Sequence, residues 1–241
     1  METILEKHKR IWQEKKILRI IYSEWYSRII SDLKETNSKT IELGAGSGNF
    51  KEFKPNVVSA DIDPHEWLDM VFDAHQMPFP SESVGNIVMI DVLHHLSNPV
   101  KFLLEAGRVL EKGGKLIMLE PYPSPFSLLV YRRFHPEPFI MDIDYFAKTV
   151  VEDKNPWDSN QAIPYLIFFK DHEKFLLMFQ HLFAIKKRKK LSFLLYPVSG
   201  GFENKSLIPD FLVPLFQGVE WLLTPFQNLL AFRCYIVLEK K

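Results

Sequence analysis

The chain holds 241 residues, of which 46% are apolar and 25% charged, with 30 basic and 30 acidic side chains. That composition excludes disordered and collagen-like chains, and the length supports one sizeable core. A formal net charge of zero supplies no global basic field of the kind that drives non-specific nucleic-acid binding, so no nucleic-acid partner is expected.

From Ile4 to Leu33, apolar residues at Ile17, Ile20, Ile21, Trp25, Ile29 and Leu33 follow a helical period and predict one or two amphipathic helices. Four short apolar runs follow, at Thr40–Leu43, Val57–Ala60, Met70–Phe72 and Asn86–Ile90, each closed by an acidic or turn residue. They read as buried strands. A helix face at Val100, Leu103, Leu104, Gly107 and Leu110 is expected to stop at Gly113-Gly114 and pass into a strand at Lys115–Leu119. Strands alternating with helices over Thr40–Glu120 predict an α/β, doubly wound, mostly parallel sheet. Regularity then fails. Tyr122–Pro164 carries Pro123, Pro125, Pro136, Pro138, Pro156 and Pro164 among aromatics, as expected of an inserted lid or substrate segment. Order resumes in a helix near Asp171–Leu182, a strand near Leu191–Tyr196 and a last strand at Arg233–Glu239.

Cys234 is the single cysteine and can neither close an internal disulfide nor complete a zinc site, which suits a reducing compartment. The Met1–Arg10 segment lacks an apolar h-region, and no run of about 18 apolar residues occurs. A cytoplasmic protein is expected.

The strongest local signal is Glu42-Leu43-Gly44-Ala45-Gly46-Ser47-Gly48, directly after the first strand. Its glycines allow a tight turn against which a ligand can lie. The dinucleotide fingerprint needs glycine at position 49, where Asn49 stands, and no Lys-Ser/Thr pair closes a P-loop. A nicotinamide reductase is thereby disfavoured. Asp61 closes the second strand, where a carboxylate can accept from both ribose hydroxyls. Asp73, at the third strand end beside the Ala74 amide, can accept from an adenine amino group. All three features fall on the carboxyl edge, where open α/β sheets bind ligands.

These residues, with Pro78-Phe79, Leu93-His94-His95-Leu96 and Arg108-Val109-Leu110-x-x-Gly113-Gly114, make the chain resemble the class I S-adenosylmethionine-dependent methyltransferases, in particular the small-molecule type 11 group. The resemblance spans about Thr40–Pro121. It implies a seven-stranded Rossmann-like sheet with an antiparallel final strand, S-adenosylmethionine as cofactor and S-adenosylhomocysteine as product. By resemblance, Glu42 and the Gly44, Ala45, Gly46 and Gly48 turn border the methionine part. Asp61 and Ile62 hold the ribose, Asp73 and Ala74 the adenine, and the Asp91–His95 loop lies beside the sulfonium. Two departures are Asn86, where the group often has aspartate, and the short Gly48–Val57 segment, which leaves room for only a stubby first crossover helix. Absence of an Asn-Pro-Pro-Tyr motif after the fourth strand, where Asp91-Val92-Leu93-His94 stands, argues against base-amino or glutamine-amide methylation.

A hydroxyl acceptor is helped by a general base, and His95, then His94, lead His135 and Glu120 as candidates. Each residue also has a plainer role: Asp61 as a cap before Pro64, Asp73 as a cap of the following turn, the histidine pair as structural, and Tyr22, Trp25 and Tyr26 as core rather than pocket lining. No metal is expected, since no helical histidine pair or cysteine cluster accompanies His94-His95. The basic run Lys186–Lys190 reads as a solvated edge just before a strand, and the apolar Phe211–Phe232 as core or dimer contact. A membrane surface is open but not favoured.

The expectation is thus a single methyltransferase domain over 1–241, comprising a helical cap (1–38), a cofactor-binding core (39–121), an inserted lid (122–185) and C-terminal strands and helix (186–241). It would methylate a small-molecule acceptor at oxygen or carbon, with a cell-envelope sugar or lipid precursor as the class in view, as a monomer or homodimer. The rival is a non-catalytic partner protein that keeps the fold and binds the cofactor.

Overall fold

A computed structural model describes residues 2–135, 137–147 and 158–241. Met1, Pro136 and Pro156, named above, lie outside the described residues.

The N-terminal periodicity resolves into two helices, α1 (Ile4–Glu14) and α2 (Lys16–Asp32). Thr3 and Glu6 form a reciprocal cap: the Thr3 hydroxyl accepts from the Glu6 amide and the Glu6 carboxylate from the Thr3 amide. The break falls at Lys15, in an extended conformation, whose ammonium donates to the Gly201 and Asn204 carbonyls. From α2, Ile17, Ile21, Tyr22, Trp25, Tyr26 and Ile29 are buried against one face of the sheet.

Strands β1 (Lys39–Leu43), β2 (Val58–Asp61), β3 (Met70–Val71), β4 (Val84–Ile90) and β5 (Leu110–Pro121) pair in parallel. Between β4 and β5 runs α3 (Pro99–Val109), capped by Asn98, which buries Phe102, Leu103 and Ala106 on the opposite face of the sheet from α2. After β5 come α4 (Pro125–Phe134), α5 (Ile163–Tyr165) leading into a π-helical turn (Leu166–Lys170), α6 (His172–Phe179) and β6 (Phe183–Leu191). The short helix α7 (Leu195–Ser199), then α8 (Val213–Leu222) and α9 (Gln227–Leu230), lead to β7 (Arg233–Lys240). The described strands form one sheet of order β3-β2-β1-β4-β5-β7-β6, with β7 antiparallel to both neighbours. The expected seven-stranded, mostly parallel, doubly wound α/β sheet is therefore what the chain forms.

Asn86 fills its unusual position well. Its side chain accepts from the Lys34 amide at 2.7 Å and donates to the Lys34 carbonyl and the Thr40 hydroxyl, which pins the α2–β1 connection to β4. The short crossover after β1 is a single 3-10 turn, Asn49–Glu52, as its length dictates.

Three local expectations need correction. The helix before β5 ends at Val109, not at Gly113-Gly114; the glycines instead form an excursion inside β5, between its pairings at Leu110 and Lys115. Gly113 has φ +75°, and a Cβ on Gly114 would lie 2.7 Å from the Glu111 carbonyl oxygen. The strand expected at Leu191–Tyr196 is β6, eight residues earlier, and the basic run lies within it rather than before it. β6 is an edge strand, where lysine stems can cover sheet surface while their charges reach partners: Lys187 pairs with Asp32 and Lys190 stacks over Tyr122. Finally, Phe211–Phe232 is core only in part: Val213, Ala231 and Phe232 are buried and Phe216, Leu223 and Leu230 pack against the core. Phe211, Leu215, Trp221, Leu222, Phe226 and Leu229, by contrast, are all more than half exposed, and Glu220 of α8 turns its carboxylate to the Phe193 and Leu195 amides.

Candidate functional site

The parallel strands β1, β2 and β4 deliver their last residues to one edge of the sheet, and a cavity of about 760 Å³ opens there. Its wall takes Glu42 to Ser47 from the β1 end, Asp61 to Asp63 from β2, Phe72 to His75 after β3 and Asp91 with Val92 after β4.

The turn after β1 is built on positive φ at Gly44 (+63°), Gly46 (+51°) and Gly48 (+75°). Gly44 also needs its lack of a side chain, since a Cβ there would come within 2.3 Å of Val92 Cγ2. The Asp61 carboxylate holds this turn: Oδ2 accepts from the Gly46 amide at 2.8 Å, while Oδ1 accepts from the Ile62 and Asp63 amides. From the other side, the Trp67 indole donates to the Gly46 carbonyl at 2.8 Å. Ala45 and Ile62 line the cavity; Gly48 does not, and starts the 3-10 turn behind it.

Glu42 is 5% exposed, and its Oε2 has no hydrogen-bond partner among the described residues. Burial, reinforced by the charge of Asp61, pushes its carboxyl up to about 8. A buried acceptor on a cavity wall with nothing to accept from is a place for a donor. Asp73 accepts through Oδ1 from the His75 amide at 2.8 Å and pairs with the His75 ring at 2.6 Å. It therefore caps its own turn, while its half-exposed side chain borders the cavity with Ala74.

Asp91 has φ +58° and forms an ion pair with Arg233, which also donates to the Tyr196 hydroxyl. Arg233 is 3% exposed and opens β7. Sequence reasoning missed it because 142 positions separate it from Asp91; the one local signal is a lone arginine at the mouth of the apolar run Ala231–Leu238.

The histidines occupy distinct settings. Glu120, fully buried, accepts from the Val92 and Leu93 amides and holds His94 Nδ1 at 2.7 Å. His94 Nε2 lies 3.5 Å from Glu137 Oε2, and His95 Nε2 3.9 Å from Glu137 Oε1. Burial works against a charged His94, yet its bonds to Glu120 and Glu137 outweigh burial and raise it to about 9. His94 is thus an imidazolium at neutral pH. The same contacts hold the Glu137 carboxyl well below the usual carboxylate range despite burial. Glu137, also missed from sequence, is fixed by Gln161, whose side chain donates to it at 3.0 Å and whose amide bonds the Pro138 carbonyl. His135, which also lines the cavity, accepts through Nδ1 from the Glu137 amide and the Gln161 side chain, which puts the ring proton on Nε2. Tyr22 and Tyr26 line the cavity and Trp25 packs behind them.

Ligand atoms of His94, His95 and Glu137 lie within 4.8 Å of one another, as do those of Asp91, His94 and Glu120. His94 is the shared member of both clusters, and its ring nitrogens face the Glu120 and Glu137 carboxylates.

Residues 41–118 match the model of the methyltransferase domain family. Demethylmenaquinone methyltransferase of Tropheryma whipplei (strain Twist) is 39% identical over 59 residues, 24% of this chain and 25% of that protein. The chloroplastic 2-methyl-6-phytyl-1,4-hydroquinone methyltransferase of Spinacia oleracea is 27% identical over 113 residues, 39% of this chain and 33% of that one. The match thus spans a quarter to a third of the length of these curated relatives. In fold, a solved methyltransferase from Thermotoga maritima superposes over 100% of this chain and 97% of its own, with a TM-score of 0.55 at 14% identity.

Proposed function

We propose that this class I S-adenosylmethionine-dependent methyltransferase of the type 11 group transfers a methyl group to an oxygen or carbon atom of a small-molecule acceptor. The observation that carries the reading is the cavity itself, whose wall takes the glycine turn, Asp61, Asp73 and the Asp91–His95 loop from successive strand ends.

The residues present fit S-adenosylmethionine. Glu42, buried and unpartnered, suits the ammonium of the methionine part, and the side-chain-free turn at Gly44 and Gly46 leaves backbone exposed for close approach. Asp61 spends its carboxylate on three amides, but an ionised carboxylate offers about four lone-pair sites, so room remains for a ribose hydroxyl. Asp73, with Oδ1 engaged by His75, has Oδ2 for the adenine amino group.

Bound there, S-adenosylmethionine supplies an activated methyl group on a good leaving group. The chain's own task is alignment and exclusion of water. Arg233 neutralises Asp91 and stiffens the loop after β4, so that the wall beside the reacting atoms keeps its shape. His94, already protonated, cannot act as a base and instead orients Glu137. His95 is left to accept the proton of a hydroxyl acceptor, with Glu137 stabilising the imidazolium that results. Glu137 and Gln161 line the cavity from the segment after α4, whose backbone is tied down by Ile140 to Asn160 and by Gln161 to Pro138.

The acceptor class proposed is a cell-envelope sugar or lipid precursor; the quinone and hydroquinone named for the curated relatives support an acceptor with an apolar body. Calorimetric titration with S-adenosylhomocysteine, with NADH as control, tests the cofactor. One-to-one binding of the former alone is expected. Label transfer from methyl-tritiated S-adenosylmethionine to prenylated quinols and lipid-linked sugars then tests the acceptor, and turnover confined to tRNA or protein overturns it.

A further inference from the structure

The segment 207–230 is amphipathic in the wrong sense for a helix in water. Its exposed large side chains are Leu207, Phe211, Leu215, Trp221, Leu222, Phe226 and Leu229, 54–80% exposed and carried on successive short helical turns, while its carboxylate Glu220 points inward to the Phe193 and Leu195 amides. No charged residue occurs from Trp221 to Phe232. At about 150–250 Å² per large side chain, these seven together expose roughly 800 Å² of apolar surface, above the roughly 300–600 Å² of the largest patch on a typical monomer.

Helix α4 lies beside α9 and extends this surface. Leu129 and Phe134 are 68% and 69% exposed, and Phe134 also lines the cavity, so apolar surface runs to the cavity mouth. The border on the α4 and β6 side is basic, while on the α2 side the exposed Glu24 accepts from Gln217 of α8. Arg132 and Arg133 are exposed on α4, Lys189 is exposed on β6, and neighbouring Lys190 ties that strand to α9 through Asn228 at 2.7 Å. Asp210 is the one exposed acid of the segment.

We propose that this face seats on a bilayer surface bearing anionic headgroups, and that the methyl acceptor is a lipid that enters the cavity past Phe134. The acceptor half of the proposal rests on the methyl-transfer reading above. Tryptophan and phenylalanine flanked by arginine and lysine are the side chains that partition into the interface between acyl chains and headgroups, and the basic border complements phosphate. A two-fold contact between copies of this chain fits less well, because it would set much of the basic border against itself and cover the cavity mouth.

The test is co-sedimentation of the full chain with phosphatidylcholine vesicles, with and without phosphatidylglycerol, alongside light scattering for mass and calorimetry with S-adenosylhomocysteine. Expected are pelleting with the anionic vesicles, weakened by salt, and a fall of about tenfold or more in partitioning for Trp221→Glu/Leu222→Glu. Arg132→Glu/Arg133→Glu weakens partitioning to anionic vesicles alone, and both variants keep wild-type affinity for S-adenosylhomocysteine. A chain that binds S-adenosylhomocysteine but pellets with neither vesicle overturns the proposal, as does a wild-type dimer that Trp221→Glu/Leu222→Glu splits into monomers. A chain that pellets with vesicles yet binds no S-adenosylhomocysteine refutes the cofactor reading, and with it the route of the acceptor, while the membrane face stands.

Discussion

Replacing Glu42 by glutamine isolates the most unusual group in the cavity. With its carboxyl pushed up to about 8, only about one copy in a hundred is ionised at pH 6 and about one in ten at pH 7. An ammonium ligand selects the ionised form, so wild-type affinity for S-adenosylhomocysteine should rise about tenfold per unit between pH 5.5 and 7.5 and level off above 8, each decade being about 1.4 kcal/mol. Glu42→Gln should flatten that profile and, at pH 8, lose about 1.5–3 kcal/mol of a charge-assisted bond. The assay is calorimetry across the pH range, with 5′-methylthioadenosine as a control that lacks the ammonium and should show no such slope in either protein. Stability runs the other way. The folded carboxyl holds its proton up to about 8 whereas the unfolded one releases it near 4.5, so wild-type stability falls as pH rises through that window and Glu42→Gln escapes the loss. A flat wild-type profile, or a slope that survives in Glu42→Gln, would refute the assignment.

Asp61→Ala should weaken S-adenosylhomocysteine by about 1.5–3 kcal/mol and also loosen the glycine turn, because the Gly46 amide loses its acceptor; an unchanged dissociation constant by calorimetry rules out the ribose role. Gly44→Ala combines about 1–2 kcal/mol of left-handed backbone strain with a clash against Val92, a stiff β-branched side chain, so its melting temperature should fall and cofactor affinity with it. His94→Asn removes a group raised from about 6.5 in the unfolded chain to about 9. Its contribution, at most about 3 kcal/mol, is complete below pH 6.5 and vanishes as pH rises through 9, so wild-type and variant melting curves should converge in alkali. His95→Asn should lower kcat towards a hydroxyl acceptor with little change in cofactor affinity; equal loss of both would make His95 a structural residue.

The parts of the site that sequence disclosed are those whose signal is local. A glycine turn, an acid at a strand end and a helix after a strand each announce themselves within about ten positions, so β1 to β4 and the cavity residues they carry were legible. Arg233 and Glu137 were not, because what defines them is a partner brought close by the closed sheet or by a proline-rich insertion. The misplaced strand has a different origin. Five consecutive basic residues on an edge strand erase the apolar signature that marked the central strands, while Phe193 and Leu195, buried just beyond β6, imitate it. Phe211–Phe232 is core only at Val213, Ala231 and Phe232; for its exposed residues, apolar composition says that a surface must be covered but not by what, and here the chain itself does not cover it.

The position of β7 bears on how the protein is made. This strand is inserted between β5 and β6, and β6 pairs with no other described strand. During synthesis, which delivers about 5–20 residues each second, every cofactor motif leaves the ribosome more than a hundred residues before Arg233 does. A nascent chain can fold β1 to β5 around the glycine turn early, but it must wait with the free edge of β5 unpaired and Asp91 without its counter-ion. The pocket wall that Arg233 completes is therefore added last, and a ribosome stalled between β5 and β7 holds a chain with all the recognisable motifs but without the counter-ion of Asp91.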